Sequence, residues 1–391
     1  NYPGIINYFL LIVILFIFTY LISYSFFKKN YKLFYFVLFV VSLIPKLLFL
    51  LSSKYDAQGL YDIGAHIFYI KYVASNFSLP LPENCFECHQ QPIYYTTAAV
   101  IYRLAQIIGF VTQDSLINIL QFYSLFIYHL FLFAGILIIN LMVRERKSAI
   151  IAASLLLFWP SGVFQSIRIS NDILIYLTTT LSLYFLIRWW IKTENSSLIK
   201  SISSTLLGLL IKTNAITMVP IITLSYLIKT HNLKKSIRYL SILLFLVVIV
   251  MIVNQRNTLS GNKQDDWLVG DFRKLPESAY VGNSLTNYVG FDIISYLKYP
   301  NIRTRDDLGG RQYFWVYLLK TSLFGEFVIN HPIQSNIARV LSFLFLGLLF
   351  SLFIGLIRLK RARIIFNIPI LLSLFFFLSS IIFLRIKIPC S

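Results

Sequence analysis

Apolar runs of roughly twenty residues recur along the whole chain, separated by short clusters of Lys and Arg. Runs of that length cross the ~30 Å hydrocarbon core of a bilayer as helices. In that medium the backbone must satisfy its own N–H and C=O groups, which a helix does within one segment. The expected fold is therefore an all-α polytopic membrane protein. With 57% of its 391 residues hydrophobic, only 13% charged and a mean hydropathy of +0.72, the chain is not an ordinary soluble domain.

The net charge of +19 invites a nucleic-acid reading, but the placement of the charges argues against it. Two long polar stretches, residues 52–115 and 255–335, hold thirteen of the sixteen acids and only twelve of the thirty-five bases. The remaining bases sit mostly in short turns between apolar runs, the pattern of cytoplasmic loops. No basic stripe with interleaved aromatics stands apart from those turns. The two acid-rich stretches are expected on the extracytoplasmic side of a single integral membrane domain, residues 1–391.

Taken in order, the runs predict about ten spans. Ile5–Phe27 is too long for a signal-peptide core and lacks a basic flank before it, so it reads as the first span. Leu33–Leu51 returns to the outside. Asp62–Asn76 reads as an amphipathic helix lying along the interface, with Ile63, Ile67, Ile70 and Ala74 on one face and Asp62 and His66 on another. Residues 93–110 are read as a second interfacial helix, because Arg144–Lys147 must be inside and Ile117–Val143 must then begin outside. A span ending outside near Trp159–Arg168, the turn Ser170–Asp172, and a return span Ile173–Trp190 follow. Lys192–Lys200 is an inner turn. Two short spans, Leu198–Ile211 and Ala215–Ile228, are broken at Lys212–Asn214. Tyr239–Val253, Asn336–Ile357 and Ile364–Phe383 complete the set, the last two joined by an inner turn at Arg358–Arg363.

Chemistry-bearing residues concentrate between Asp62 and Tyr95: Asp62, Glu83, Glu87, His66, His89, Cys85, Cys88, Gln90 and Gln91. Polar groups that interrupt apolar spans are where membrane proteins place function. Cys85-x-x-Cys88-His89 fits a haem-attachment pattern, a zinc site with His66, or a disulfide in an oxidising compartment, and the short pattern leaves these open. Asp62 reads as a catalytic carboxylate or a helix N-cap, and Asp172 likewise as a site residue or the cap of the helix starting at Ile173. Glu87 reads as functional or as a solvated loop carboxylate, and His66 as a partner of Asp62 one turn away. Lys212, in apolar sequence, is costly unless paired or functional. Tyr94 and Tyr95 read as interfacial anchors.

This loop resembles the first external loop of GT-C glycosyltransferases, in the polyprenyl-phosphate-sugar-dependent branch that includes protein O-mannosyltransferases and bacterial family 39 enzymes. Asp62 and His66 match D-x-x-x-H. A turn SLPLP follows. Glu87, Gln90, Pro92, Tyr94 and Tyr95 match E-x-x-Q-P-P-L-Y-Y, with Gln91 standing where the pattern has its first proline, a departure expected to shift the start of the next helix. The stretches RISNDILIYL, GLLIKTNAI and DDLGGRQYFWVYLLKTSLFGEF resemble further family segments, so the likeness runs from about residue 35 to 355.

The resemblance implies a bundle of about ten spans with interfacial helices in the first loop, in a bacterial inner membrane with an extracytoplasmic site. It implies a polyprenyl-phosphate-linked sugar as donor, a lipid, glycan or protein as acceptor, membrane lipid as surroundings, and no nucleic acid. It leaves room for a divalent metal without requiring one. Asp62, with Glu87 second, is the expected base, and His66 stands beside it. Lys212, Arg168 and Arg311 are the expected phosphate-holding cations, and Asp172, His89 and Gln90 are expected to line the substrate. A flippase or other transporter of lipid-linked glycans shares the many spans and basic patches, but would be expected to show paired broken helices and internal symmetry.

Overall fold

The structure is a computed structural model that describes residues 30–52, 63–81, 84–110, 112–230, 233–254, 289–300, 314–325 and 332–361, with 24 and 286 as isolated positions. Every regular element among the described residues is a helix. In chain order these are α1 (Tyr31–Val41), α2 (Leu43–Ser52), α3 (Ile63–Asn76), α4 (Pro92–Ile108), α5 (Gln113–Met142), α6 (Arg146–Leu157), α7 (Pro160–Gln165), α8 (Asp172–Lys192) and α9 (Asn195–Leu209). A 3₁₀ turn (Thr213–Thr217) leads into α10 (Met218–Thr230), α11 (Leu233–Asn254), α12 (Ile293–Lys298), α13 (Phe314–Phe324) and α14 (Pro332–Arg361).

The all-α membrane architecture expected from the apolar runs is present. Four stretches among the described residues are long and apolar enough to cross a bilayer: Tyr31–Ser52, Gln113–Met142, Asp172–Lys192 and Pro332–Gly355. The expected spans Ile5–Phe27 and Ile364–Phe383 lie outside the described residues. Elsewhere the boundaries differ. The run before Trp159 becomes α6, whose 12 residues reach only ~18 Å, and Pro160 then opens α7. The inner turn expected over Lys192–Lys200 shrinks to Thr193 and Glu194, with Thr193 in the left-handed conformation at φ 58° closing α8. Of the inner turn expected over Arg358–Arg363, residues 358–361 continue α14 and 362–363 lie outside the described residues.

The centre of the bundle is α8, packed along α9 and α5. Small polar side chains let α8 and α9 approach closely. Ser182 Oγ donates to the Ser201 carbonyl at 3.0 Å and meets Thr205 Oγ1 at 2.7 Å, and Ser201 Oγ donates back to the Ser182 carbonyl at 2.8 Å. Further along the same seam a Cβ on Gly208 would stand 2.9 Å from Ala215 Cβ and 3.2 Å from Thr178 Oγ1. Gly208→Ala should therefore force α9 off its neighbours and cost about 1–3 kcal/mol, read as a lower unfolding temperature in detergent. The same glycine's carbonyl accepts from Ile211 N and Lys212 N, at 3.0 and 2.8 Å, and so sets the turn that presents Lys212.

Two lysines in apolar surroundings are explained by helix ends, whose last carbonyls lack intrahelical donors. Lys46, 1% exposed, donates to the Ser42 carbonyl at 2.7 Å and to the Leu157 carbonyl at 3.1 Å, where α6 stops. Lys229 donates to the Trp189 and Trp190 carbonyls at 2.6 and 2.9 Å and lies over the Trp189 ring, at the end of α8.

The two helices of the first loop pack on each other. On α3 the expected face, Ile63, Ile67, Ile70 and Ala74, is buried, and His66 and Tyr69 are buried with it. On α4 the buried set is Tyr94, Tyr95, Ala98, Ala99, Tyr102 and Ala105, a three-and-four spacing that marks one helix face. Gly109, at φ 106°, ends α4.

Candidate active site

Between α3 and α4 the chain makes a tight turn through Asn84–Gln91. Cys85 and Cys88 are joined by a disulfide, so neither sulfur is available to haem or zinc. Among the described residues no group of three or more His, Cys, Asp or Glu side chains is arranged to hold a metal. The bond should be visible chemically: under denaturing, non-reducing conditions Cys390 alone of the three cysteines should alkylate, and all three after reduction. Intact mass reads this directly, and three alkylations without reductant would contradict the pairing.

The turn holds Glu87 between the two cysteines at 6% exposure, which removes the solvated-carboxylate reading. Its charge falls on Tyr95, the next feature of the site. Tyr94 and Tyr95 are both fully buried, at 0% exposure, so the interfacial-anchor reading is wrong for each. For Tyr95 the packing of α3 onto α4 decides this, since Tyr69 stacks on it with ring centroids 3.8 Å apart and His66 Nδ1 meets its hydroxyl at 2.8 Å, while Tyr94 packs against Tyr123 of α5. His66 is thus engaged with a partner 29 residues away. Burial pushes the Tyr95 phenol well above its ordinary range, and the nearby Glu87 charge pushes it further. The phenol stays protonated and can donate to Nδ1, which would place the imidazole proton on Nε2.

A second group comes from the ends of α8 and α9. Asn171 is the N-cap of α8 and Asp172 its first residue. The Asp172 carboxylate does not cap the helix; it pairs with the Lys212 ammonium. Lys212 stands in extended backbone, φ −159° and ψ 138°, between α9 and the 3₁₀ turn. The side chains of Lys212 and Asp172 are 18% and 23% exposed, so the pair is sunk but open. Arg168 and His66 lie close enough to Asp172 to act on it electrostatically, and Asp172 in turn acts on Tyr95. The two groups are one site. It takes His66 from α3, Glu87 from the turn, Tyr95 from α4, Arg168 from the connection between α7 and α8, Asp172 from the start of α8, and Lys212 from the break after α9.

Amides stitch these segments together. Asn171 Nδ2 donates to Gln90 Oε1 at 3.1 Å and to the Ile211 carbonyl at 3.3 Å. Gln91 Nε2 donates to Thr213 Oγ1 at 3.0 Å. Of the residues expected at the site, Gln90 is therefore present through Asn171. His89 is not drawn in: it is exposed, with Nδ1 2.8 Å from the Phe86 carbonyl of its own turn. Asp62 and Arg311 lie outside the described residues. Sequence reasoning missed Tyr69, Gln91, Asn171 and Thr213 as members. The visible signals were Asn171's place beside Asp172 and Gln91's departure from proline.

A lysine paired with a carboxylate and an arginine near by, beside a turn that carries a second carboxylate, can hold a phosphate and take a proton from a hydroxyl. Residues 104–253 match the model of a family described as dolichyl-phosphate-mannose-protein mannosyltransferase. The chain is similar to GT-C glycosyltransferases of the mannosyltransferase type. The GT-C match runs from late α4 to the end of α11 and contains Arg168, Asp172 and Lys212, while His66 and Glu87 precede it. No curated protein and no solved structure matches the chain.

Proposed function

We propose that the chain transfers a sugar from a polyprenyl-phosphate carrier to an acceptor hydroxyl on the extracytoplasmic side of the membrane, with inversion at the anomeric carbon. The observation that carries the reading is the partly open Lys212–Asp172 pair, tied through Asn171 and Thr213 to the turn that carries Glu87. The sidedness rests on the acid-rich stretch 52–115, which supplies Glu87 and His66.

In this reading Lys212, Arg168 and Arg311 hold the donor phosphate, and Asp62 is the general base, with Glu87 as the second candidate. The acceptor oxygen attacks the anomeric carbon as its proton passes to the carboxylate. The anomeric C–O bond breaks toward the phosphate, and polyprenyl phosphate leaves with the electron pair. The charge that grows on the leaving phosphate is met by fixed cations, which is where such sites gain most of their rate. Asp172 keeps the Lys212 side chain aimed into the site, and Gln90 flanks the substrate. The resembled family leaves room for a divalent metal without requiring one.

A transporter of lipid-linked sugars would use the same cations without the base. The two readings separate when membranes containing the protein are given a labelled polyprenyl-phosphate sugar. A transferase moves label onto an acceptor and leaves unlabelled polyprenyl phosphate. Label that crosses the bilayer still attached to its carrier would overturn the proposal.

A further inference from the structure

Gln91 stands where the resembled pattern has proline, yet α4 still begins at Pro92. Gln91 adopts φ −65° and ψ 145°, the backbone that proline itself would take before Pro92. The backbone at this position therefore gives no reason for glutamine. The side chain does. It crosses to Thr213, a residue 7% exposed, and donates to its hydroxyl at 3.0 Å. Thr213 directly follows Lys212 and begins the 3₁₀ turn, whose N-cap, Lys212, makes no side-chain capping bond. On its other side Lys212 is tied by its N–H to the Gly208 carbonyl at 2.8 Å. The neighbouring Gln90 does the matching work for the ion-pair partner, by accepting from Asn171 beside Asp172 at 3.1 Å. Two adjacent amides of the Glu87 turn thus hold the residues that flank the two ends of the Asp172–Lys212 pair.

We propose that Gln91 is a positioning residue: through Thr213 it holds Lys212 in register with Glu87, so that the ammonium is presented to the donor's phosphate. The inference rests on reading Lys212 as a phosphate-holding residue. A group that only stabilised the fold would show itself in unfolding; a positioning group shows itself in phosphate affinity while the fold is intact. Proline is the informative replacement, because it keeps the backbone and removes only the bridge, and it restricts the unfolded chain.

The full chain in detergent is titrated with a polyprenyl monophosphate, for wild type, Gln91→Pro, Thr213→Val and the double variant. Gln91→Pro should unfold at no lower temperature than wild type, yet bind the lipid phosphate about 3- to 10-fold more weakly, the loss of one neutral hydrogen bond. Thr213→Val should lose a similar factor, and the double variant should lose no more than the worse single one, since both remove the same bridge. Wild-type affinity in Gln91→Pro or in Thr213→Val would overturn the proposal while leaving the Lys212 reading intact. If Gln91→Pro does not fold, the near-isosteric Thr213→Val supplies the same readout. No binding of the lipid phosphate by the wild type would overturn the Lys212 reading and this inference together.

Discussion

Asp62→Asn should lower turnover by about 10²–10⁴-fold while leaving the protein folded and its donor affinity close to wild type. The substitution keeps the size of the side chain and removes the basic oxygen. If Asp62 only capped the helix that follows it, asparagine would serve equally well and activity would persist. Donor affinity is the control, because in this account the phosphate is held elsewhere, by Lys212 and Arg168. Single-turnover rates at saturating donor separate the two quantities. Near-normal turnover in folded Asp62→Asn would transfer the role of base to Glu87, the buried carboxylate that the turn holds beside Tyr95.

Lys212→Ala should weaken donor binding by about 10- to 100-fold, the range for one hydrogen bond to a charged group. It should also destabilise the protein, because it strands the Asp172 carboxylate that Lys212 pairs with. The two effects come apart in the double variant Lys212→Ala with Asp172→Asn. Neutralising the stranded carboxylate should recover the unfolding temperature and leave donor affinity low. Recovery of both would mean that Lys212 serves the fold alone. No recovery of either would mean that the pair is not what holds this corner together.

What could be read from the sequence was what local spacing encodes. The buried face of α3 follows from Ile63, Ile67, Ile70 and Ala74 recurring at helical intervals. The break after α9 follows from Lys212 in an apolar run, and the structure supplies its partner in Asp172. Local spacing misled where contacts are distant. His66 is four residues from Asp62 in sequence, but its hydroxyl partner Tyr95 comes from the next helix. Tyr94 and Tyr95 carry the composition of a membrane-interface belt, and packing against other helices buries them, with Tyr69 of α3 on Tyr95 and Tyr123 of α5 on Tyr94. The bridges from Gln90 to Asn171 and from Gln91 to Thr213 span 81 and 122 residues, a separation at which a single sequence holds no pairing signal. The cysteines show the same limit. Their spacing suits a bridge, a metal or haem, and the folded turn decides for the bridge.

The central claim, that the site cleaves a sugar from a lipid phosphate, is tested most directly by following both products at once. Purified protein is given a polyprenyl-phosphate sugar of defined anomeric configuration and a hydroxyl acceptor, and the products are quantified by mass spectrometry and NMR. The account predicts free polyprenyl phosphate and glycosylated acceptor in equal amounts, with the anomeric centre inverted. Retention of configuration, or glycosylated acceptor formed without release of polyprenyl phosphate, would contradict it.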